Sequence, residues 1–200
     1  MGGKKHRAAG AGLFSRLKRL YADMEAQYDR VARQIGLDCR GCPDNCCVSY
    51  FQHHTYIEWA YLWQGLQQSE PSFRERVLAQ AKEVLGHYDA ALQRGQKPEI
   101  MCPLNEDGRC VLYPYRLMIC RFHGVPNQVT LPDGSRRQFP GCIHCRRKTE
   151  GLLRVPVLDR TPAYIQLATL ERTFTKNLPQ LPKVDLTLAE MLVQGPPPLS

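Results

Sequence analysis

Cysteine is the residue type in this sequence with the greatest capacity for chemistry. Nine of the 200 residues are cysteines, in a chain long enough to fold around a hydrophobic core without disulfide bonds. They are Cys39, Cys42, Cys46, Cys47, Cys102, Cys110, Cys120, Cys142 and Cys145. Chains this rich in cysteine use the sulfur atoms either in disulfides or as metal ligands, and the compartment of the protein usually separates the two uses.

The sequence favours metal ligands over disulfides. Residues 1–20 are interrupted by lysine and arginine and contain no long apolar region, so we expect no secretory signal. We therefore expect a cytoplasmic protein, in which thiols stay reduced. An odd number of cysteines would also leave one thiol outside a closed set of disulfides. No stretch approaches the roughly 18 consecutive apolar residues of a membrane span, so we expect no transmembrane segment.

Two pairs of cysteines have the C-x2-C spacing that places two sulfur atoms within reach of one metal ion. The first pair is Cys39 and Cys42, and the second is Cys142 and Cys145. Both pairs are therefore predicted to bind metal.

A third pair, Cys102 and Cys110, is predicted to meet across a β-hairpin. Asp107-Gly108, between the two cysteines, is a dipeptide typical of hairpin turns. Such a hairpin would fold the two sulfur atoms back toward each other.

The adjacent cysteines Cys46 and Cys47 argue against a single mononuclear site. Neighbouring side chains point to opposite faces of an extended strand and diverge by about 100° in a helix. Either the two thiols serve two sites, or one is a ligand while the other packs or bridges. This geometry favours a multinuclear cluster or two neighbouring metal ions.

The thiolate ligands fit both iron–sulfur clusters and zinc, and the sequence favours the cluster. Iron–sulfur clusters take four thiolates, often three of them from a compact C-x2-C-x2-C run. Cys39, Cys42 and Cys46 approximate that run with one extra residue, and a remote cysteine such as Cys120 would close the site. The alternative is zinc, since two tetrahedral four-thiolate sites would use eight of the nine cysteines.

Segments around the cysteines predict helices and a second hairpin. The predicted helices cover residues 13–35, 55–68, 72–93, 161–176 and 187–194. The first follows an apolar stripe with a 3.6-residue period, and the second and third begin at capping-box patterns at Thr55 and Ser72. Trp59 and Trp63, four residues apart on one helical face, are expected in the core. The hairpin is predicted over residues 129–139, around a Pro-Asp-Gly turn.

These patterns predict a mainly α protein. We expect a single small domain in which helices surround an irregular cysteine-rich metal-binding centre with one or two short β-hairpins. Its expected parts are a basic amphipathic N-terminal helix over residues 1–36 and a cysteine-cluster metal-binding domain over 37–145, with a helical hairpin inserted at 55–94. A C-terminal helical extension over 146–195 and a disordered tail over 196–200 complete the prediction.

Four segments of the sequence share their cysteine spacing with a known family. They are Cys39-Arg-Gly-Cys42-Pro-Asp-Asn-Cys46-Cys47, Cys102-Pro-Leu, Asp107-Gly-Arg-Cys110-Val-Leu-Tyr113 and Arg116-Leu-Met-Ile-Cys120-Arg121. The pattern resembles the YkgJ-like cysteine-cluster family, which is described as a zinc- or iron-chelating domain. The chain departs from the family pattern twice: three residues rather than two precede the cysteine doublet, and Leu117 follows Arg116 where the family has proline.

The resemblance implies that residues 39 to 145 chelate a metal, most often iron or an iron–sulfur cluster. Such a centre would serve electron transfer, redox sensing or a cluster-dependent modification, with a redox or protein partner that the resemblance leaves open. Similar cysteine clusters occur in flagellin lysine methylases. The resemblance therefore leaves open whether this protein is an enzyme, such as an iron–sulfur oxidoreductase. The sequence has neither a glycine-rich nucleotide loop nor the C-x3-C-x2-C motif of radical-methionine enzymes, and it points to no catalytic residue.

The net charge of +8 is concentrated near the N-terminus. Residues 1–36 contain 8 Lys and Arg against 3 Asp and Glu, which accounts for +5 of the total. If the metal is zinc, the alternative function is a structural module that presents this basic helix to a protein or nucleic-acid partner. The positive charge is weak evidence for a nucleic-acid partner, since a solvated charged face of the helix explains it equally well.

Overall fold

The computed structural model describes residues 3–39, 46–178 and 180–199, with the backbone alone for residues 3–11 and Cys46. Its α-helices are α1 (Gly3–Gln34), α2 (Tyr56–Gln67), α3 (Pro71–Gln93), α4 (Met118–Phe122), α5 (Ile143–Thr149), α6 (Thr161–Thr175) and α7 (Leu188–Val193). Its strands are β1 (Gln52–His53), β2 (Asn105–Glu106), β3 (Arg109–Cys110), β4 (Asn127–Thr130), β5 (Arg136–Phe139), β6 (Leu158–Asp159) and β7 (Leu186–Thr187). Short 3-10 helices lie at Cys46–Val48 and Tyr113–Tyr115. The predicted mainly α class is confirmed.

The chain divides into two compact units. Unit 1 consists of the chain up to Cys46 together with Met118–Phe174, and unit 2 consists of Cys47–Leu117 together with Thr175–Ser200. The predicted boundaries of the N-terminal helix, the cysteine domain and the C-terminal extension stay a prediction, because compactness does not show which parts fold alone.

The long helix α1 supplies much of the core of unit 1. Leu17, Tyr21 and Met24 belong to its predicted apolar stripe, and all three are buried. The helix contacts α4 and β6. Gly36 ends it in the left-handed backbone region, with a φ of +63°, where glycine is favoured because it has no Cβ. The 3.6-residue period therefore predicts both the helix and its buried face.

A small sheet completes unit 1, with strand order β5-β4-β6. The antiparallel pair β4–β5 confirms the predicted hairpin, and Asp133 holds its turn by accepting a hydrogen bond from the backbone N–H of Ser135 at 2.9 Å. Strand β6 pairs with β4 in parallel and was not predicted. It is two residues long, so it has no alternation that a sequence pattern could reveal.

Unit 2 is organised around α2, α3 and α7. Helices α3 and α7 pack together, and β1 pairs with β7 in an antiparallel ladder. Trp59 and Trp63 on α2 are buried, as predicted, and both indole N–H groups donate to the carbonyl of Met191, at 3.0 and 2.8 Å. The hairpin predicted around Asp107-Gly108 is also confirmed, since β2 and β3 pair directly across it.

Neither of the two capping boxes predicted in unit 2, at Thr55 and at Ser72, forms. A complete box lies instead at Thr187, at the start of α7. Thr55 is the N-cap of α2, but its hydroxyl donates to the carboxylate of Glu58 at 2.8 Å instead of capping the backbone. Helix α3 begins at Pro71, before Ser72, because proline is favoured at the first helical position.

In the part of the chain that the structure describes, no helix combines the length and the apolar character needed to cross a bilayer.

Candidate metal centre

The second C-x2-C motif forms a tight turn at the start of α5. Cys142 is the N-cap of the helix, and its Sγ accepts a hydrogen bond from the backbone N–H of Cys145 at 3.4 Å. Cys145 is completely buried. This hydrogen bond fixes Sγ of Cys142 at the first turn of the helix.

Two glycines shape the backbone on which this turn rests. The carbonyl of Gly124 accepts a hydrogen bond from the backbone N–H of Cys142 at 3.0 Å. Gly141, with a φ of +84°, lies so close that a Cβ there would be 2.5 Å from the Gly124 carbonyl oxygen and 2.9 Å from Sγ of Cys145. The sulfur atom of Cys145 therefore lies directly against the Gly141 backbone.

Cys39 reaches the same region from the end of α1. The hydroxyl of Tyr28, on α1, is 3.8 Å from Sγ of Cys39 and also packs against Gly124. Tyr28 thus contacts both the first C-x2-C motif and the turn that supports the second. Cys39 is exposed, whereas Cys145 is buried.

Burial, and after it negative charge at Cys142 and at Cys39, raise the pKa of Cys145 to about 11. Without a cation, Cys145 is therefore held as a neutral, unreactive thiol at neutral pH. A metal ion would have to displace the proton, so metal binding at these sulfur atoms would release protons and strengthen with pH.

The remaining cysteines of unit 1 are placed less completely. Cys120 lies on α4 and is partly buried. Cys42 and the side chain of Cys46 lie outside the described residues. The predictions that Cys42 and Cys46 extend the ligand run, and that Cys120 closes it, therefore stay predictions.

A separate set of cysteines belongs to unit 2. The backbone N–H of Cys102 donates to the carbonyl of Cys47 at 2.9 Å, and the N–H of Asn105 donates to the carbonyl of Cys102 at 2.9 Å. Asn105 pairs in turn with Cys110 across the β2–β3 hairpin. The backbone thus gathers Cys47, Cys102 and Cys110 into one part of unit 2. Burial raises the pKa of Tyr88 to about 12, and the next contribution is negative charge at Cys102.

The donor atoms fit a soft metal ion, but those that the structure describes do not complete a site. Among the described residues, no group of three or more His, Cys, Asp or Glu side chains is arranged to hold a metal ion. The seven described cysteines form no disulfides. The centre thus has a suitable sulfur chemistry, and further ligands would have to come from outside the described residues or from a rearrangement of these side chains on binding.

The sequence patterns do not identify the residues that support the cysteines. Tyr28 lies within the predicted helix over residues 13–35, and no pattern marks Gly124 as a neighbour of the second C-x2-C motif. The glycine directly before Cys142 is a local signal of a tight turn at a C-x2-C motif. The contact of Tyr28 with Cys39 has no such signal, because the two residues are brought together by the end of α1.

No family model matches the chain, and no curated protein and no solved structure is detectably similar to it. The resemblance to the YkgJ-like family therefore rests on the four cysteine-containing segments of the sequence alone.

Proposed function

We propose that this protein is an iron–sulfur protein whose centre is bound by cysteines of unit 1 and exchanges electrons with a redox partner. The observation that carries the proposal is the position of Tyr28, whose hydroxyl lies 3.8 Å from Sγ of Cys39 and packs against Gly124, the residue whose carbonyl accepts the backbone N–H of Cys142. Cys39, Cys142 and Cys145 would be three of the ligands. Cys42, Cys46 or Cys120 would complete the set.

The distribution of cysteines between the units favours one multinuclear centre over two zinc sites. Unit 1 contains Cys39, Cys42, Cys46, Cys120, Cys142 and Cys145, whereas unit 2 contains Cys47, Cys102 and Cys110. Three cysteines are one fewer than a four-thiolate zinc site needs. Two such zinc sites, one in each unit, are therefore not available from this distribution.

Exposure of one ligand supports the proposed electron exchange. Cys39 is exposed while Cys145 is completely buried. A centre held between them would be shielded from solvent on one side and accessible to a partner on the other. An iron–sulfur centre supplies reversible one-electron chemistry when it is bound. The residues of the chain would anchor it, and the Tyr28 hydroxyl would tune it by donating to the sulfur of Cys39.

The experiment that tests the proposal is the metal content of protein purified anaerobically. We expect a brown protein that contains iron and acid-labile sulfide, and we expect Cys145→Ser to lose both. Cys110→Ser, in unit 2, is the matched control and should retain the full iron content. A colourless protein that contains zinc would reject the iron–sulfur centre, and equal loss of iron in both variants would reject its assignment to unit 1.

A further inference from the structure

A loop in unit 1 exposes aliphatic side chains to solvent. It follows α5 and covers residues 150–157. Leu153 is fully exposed, and Leu152, Val155 and Val157 each expose between 37% and 46% of their surface. Scattered exposed aliphatic residues are ordinary, but four in six consecutive positions form a patch that usually marks an interaction site.

Exposed cationic residues precede and interrupt this aliphatic segment in the sequence. Arg146, Arg147 and Lys148 form the last turn of α5 and are all exposed, and Arg154 lies within the loop itself. Glu150 is the one acidic residue between positions 143 and 157. We call the four cations and the four aliphatic residues the basic–apolar surface. Its charge is complementary to an anionic partner.

Hydrogen bonds at both ends hold the loop in place. At the α5 end, the hydroxyl of Thr149 donates to the carbonyl of Cys145 at 3.1 Å, and the N–H of Leu152 donates to the carbonyl of Thr149 at 3.2 Å. At the other end, the N–H of Leu158 donates to the carbonyl of Pro126 at 2.9 Å. The aliphatic side chains are therefore presented by an anchored segment, which reduces the ordering cost of binding.

Aliphatic side chains next to cations favour a lipid surface over a nucleic acid. Leucine and valine gain free energy by entering the boundary between headgroups and acyl chains, while lysine and arginine contact anionic headgroups. Single-stranded nucleic acids are usually held by aromatic side chains on which the bases stack. Residues 143–157 contain no Phe, Tyr or Trp.

We propose that the basic–apolar surface docks this protein on anionic membranes. Leu152 and Leu153 enter the interfacial region, and Arg146, Arg147 and Lys148 contact the negatively charged headgroups. The mode of binding is peripheral, because the loop supplies only a few aliphatic side chains. The inference is independent of the metal proposed above.

The test is co-sedimentation of the full-length protein with vesicles of phosphatidylcholine that contain about a third phosphatidylserine. We expect binding to these vesicles, weakening with added salt, and none to pure phosphatidylcholine. The triple variant Arg146→Gln/Arg147→Gln/Lys148→Gln should bind about a hundredfold more weakly, since each cation near an anionic surface contributes about fivefold. The matched control is Arg16→Gln/Lys18→Gln/Arg19→Gln, which removes three exposed cations of α1 and should leave the affinity within about threefold of the wild type.

Two further variants test whether the exposed aliphatic side chains contribute to vesicle binding. Leu153→Ser should weaken vesicle binding about tenfold, whereas Ile165→Ser, at a residue of α6 that is 62% exposed, should not. In a Leu153→Trp variant, the fluorescence should shift to shorter wavelength on anionic vesicles, because the native Trp59 and Trp63 are already buried. The proposal is overturned if the α1 variant loses binding as strongly as the α5 variant, or if the surface binds a single-stranded RNA oligonucleotide but no vesicles.

Discussion

At the scale of single residues, a glycine determines where a cysteine sulfur lies. Gly141 has a φ of +84°, and a Cβ at this position would meet both the Gly124 carbonyl oxygen and Sγ of Cys145 below 3.0 Å. Neither neighbour can move freely, since one is backbone and the other belongs to a completely buried side chain. Substitution at this position should therefore disturb the turn that places Cys145.

We predict that Gly141→Ala destabilises unit 1 by about 2–4 kcal/mol, combining the strain of a positive φ with the steric overlap. Thermal unfolding followed by far-ultraviolet circular dichroism measures the loss. Gly134→Ala is the matched control, because Gly134 has a φ of +82° and nothing lies within 4 Å of its Cβ position. That variant should lose about 1 kcal/mol from backbone strain alone. Equal losses in the two variants would show that the close approach at Gly141 does not matter.

At the scale of elements, the same four-residue pattern has different consequences at two helix starts. Both Thr55 and Thr187 are followed three residues later by glutamate, as in a capping box. Thr187 accepts a hydrogen bond from the N–H of Glu190 at 3.2 Å, and the Glu190 carboxylate accepts one from the N–H of Thr187. Thr55 donates its hydroxyl to Glu58, as Thr187 does to Glu190, but its side chain accepts no hydrogen bond from the backbone of α2. The pattern predicts the helix in both cases, but it does not predict which atoms satisfy the helix end.

We therefore predict that Thr187→Ala lowers the free energy of unfolding of unit 2 by about 1–2 kcal/mol, because it removes a cap from the backbone of α7. Thr55→Ala, which removes no backbone cap, should lower it by less than Thr187→Ala does, because only the hydrogen bond to Glu58 is lost. Urea unfolding followed by tryptophan fluorescence measures both values, because Trp59 and Trp63 are hydrogen-bonded to Met191 of α7. A larger effect at Thr55 than at Thr187 would contradict this assignment of the caps.

Local patterns in the sequence predict elements well and long-range contacts poorly. Leu17 and Met24 lie in a regular apolar period, and Asp107-Gly108 adopts the positive φ values, 50° and 80°, that its hairpin turn requires. Each of these features depends on residues a few positions apart. The contact between Tyr28 and Cys39 depends on how α1 ends, and the contact between Tyr28 and Gly124 depends on the packing of unit 1. Cysteine spacing indicates the chemistry, but it does not indicate which of nine sulfur atoms meet.

At the scale of the whole molecule, each unit has its own set of cysteines, and unit 2 has both tryptophans. The unfolding of unit 2 can therefore be followed separately by fluorescence. Unit 2 also contains a buried histidine, His53 on β1, which is 3% exposed. Burial, and after it the neighbouring His54, lower the pKa of His53 to about 3. The folded chain thus keeps this imidazole neutral over a range in which the unfolded chain binds a proton.

We predict that unit 2 loses stability as the pH falls from about 6.5 toward 3. In this range the unfolded state binds one more proton than the folded state at position 53, so the free energy of unfolding should fall by up to about 1.4 kcal/mol for each pH unit. Urea midpoints measured by tryptophan fluorescence at several pH values give the slope. His53→Gln should remove this component of the slope. His87→Gln, at an exposed position of α3 beside Glu83, is the control and should retain it. An unchanged slope in His53→Gln would contradict the prediction.

X-ray absorption at the edge of the bound metal tests whether the sulfur atoms of Cys39, Cys142 and Cys145 hold one metal centre, as we propose. For anaerobically purified protein, we expect iron in an all-sulfur first shell at about 2.3 Å, with a second shell of neighbouring iron atoms. In Cys142→Ser, this spectrum should be lost or should show an oxygen ligand. A first shell of oxygen and nitrogen in the wild-type protein, or a sulfur shell that is unchanged in Cys142→Ser, would contradict the account.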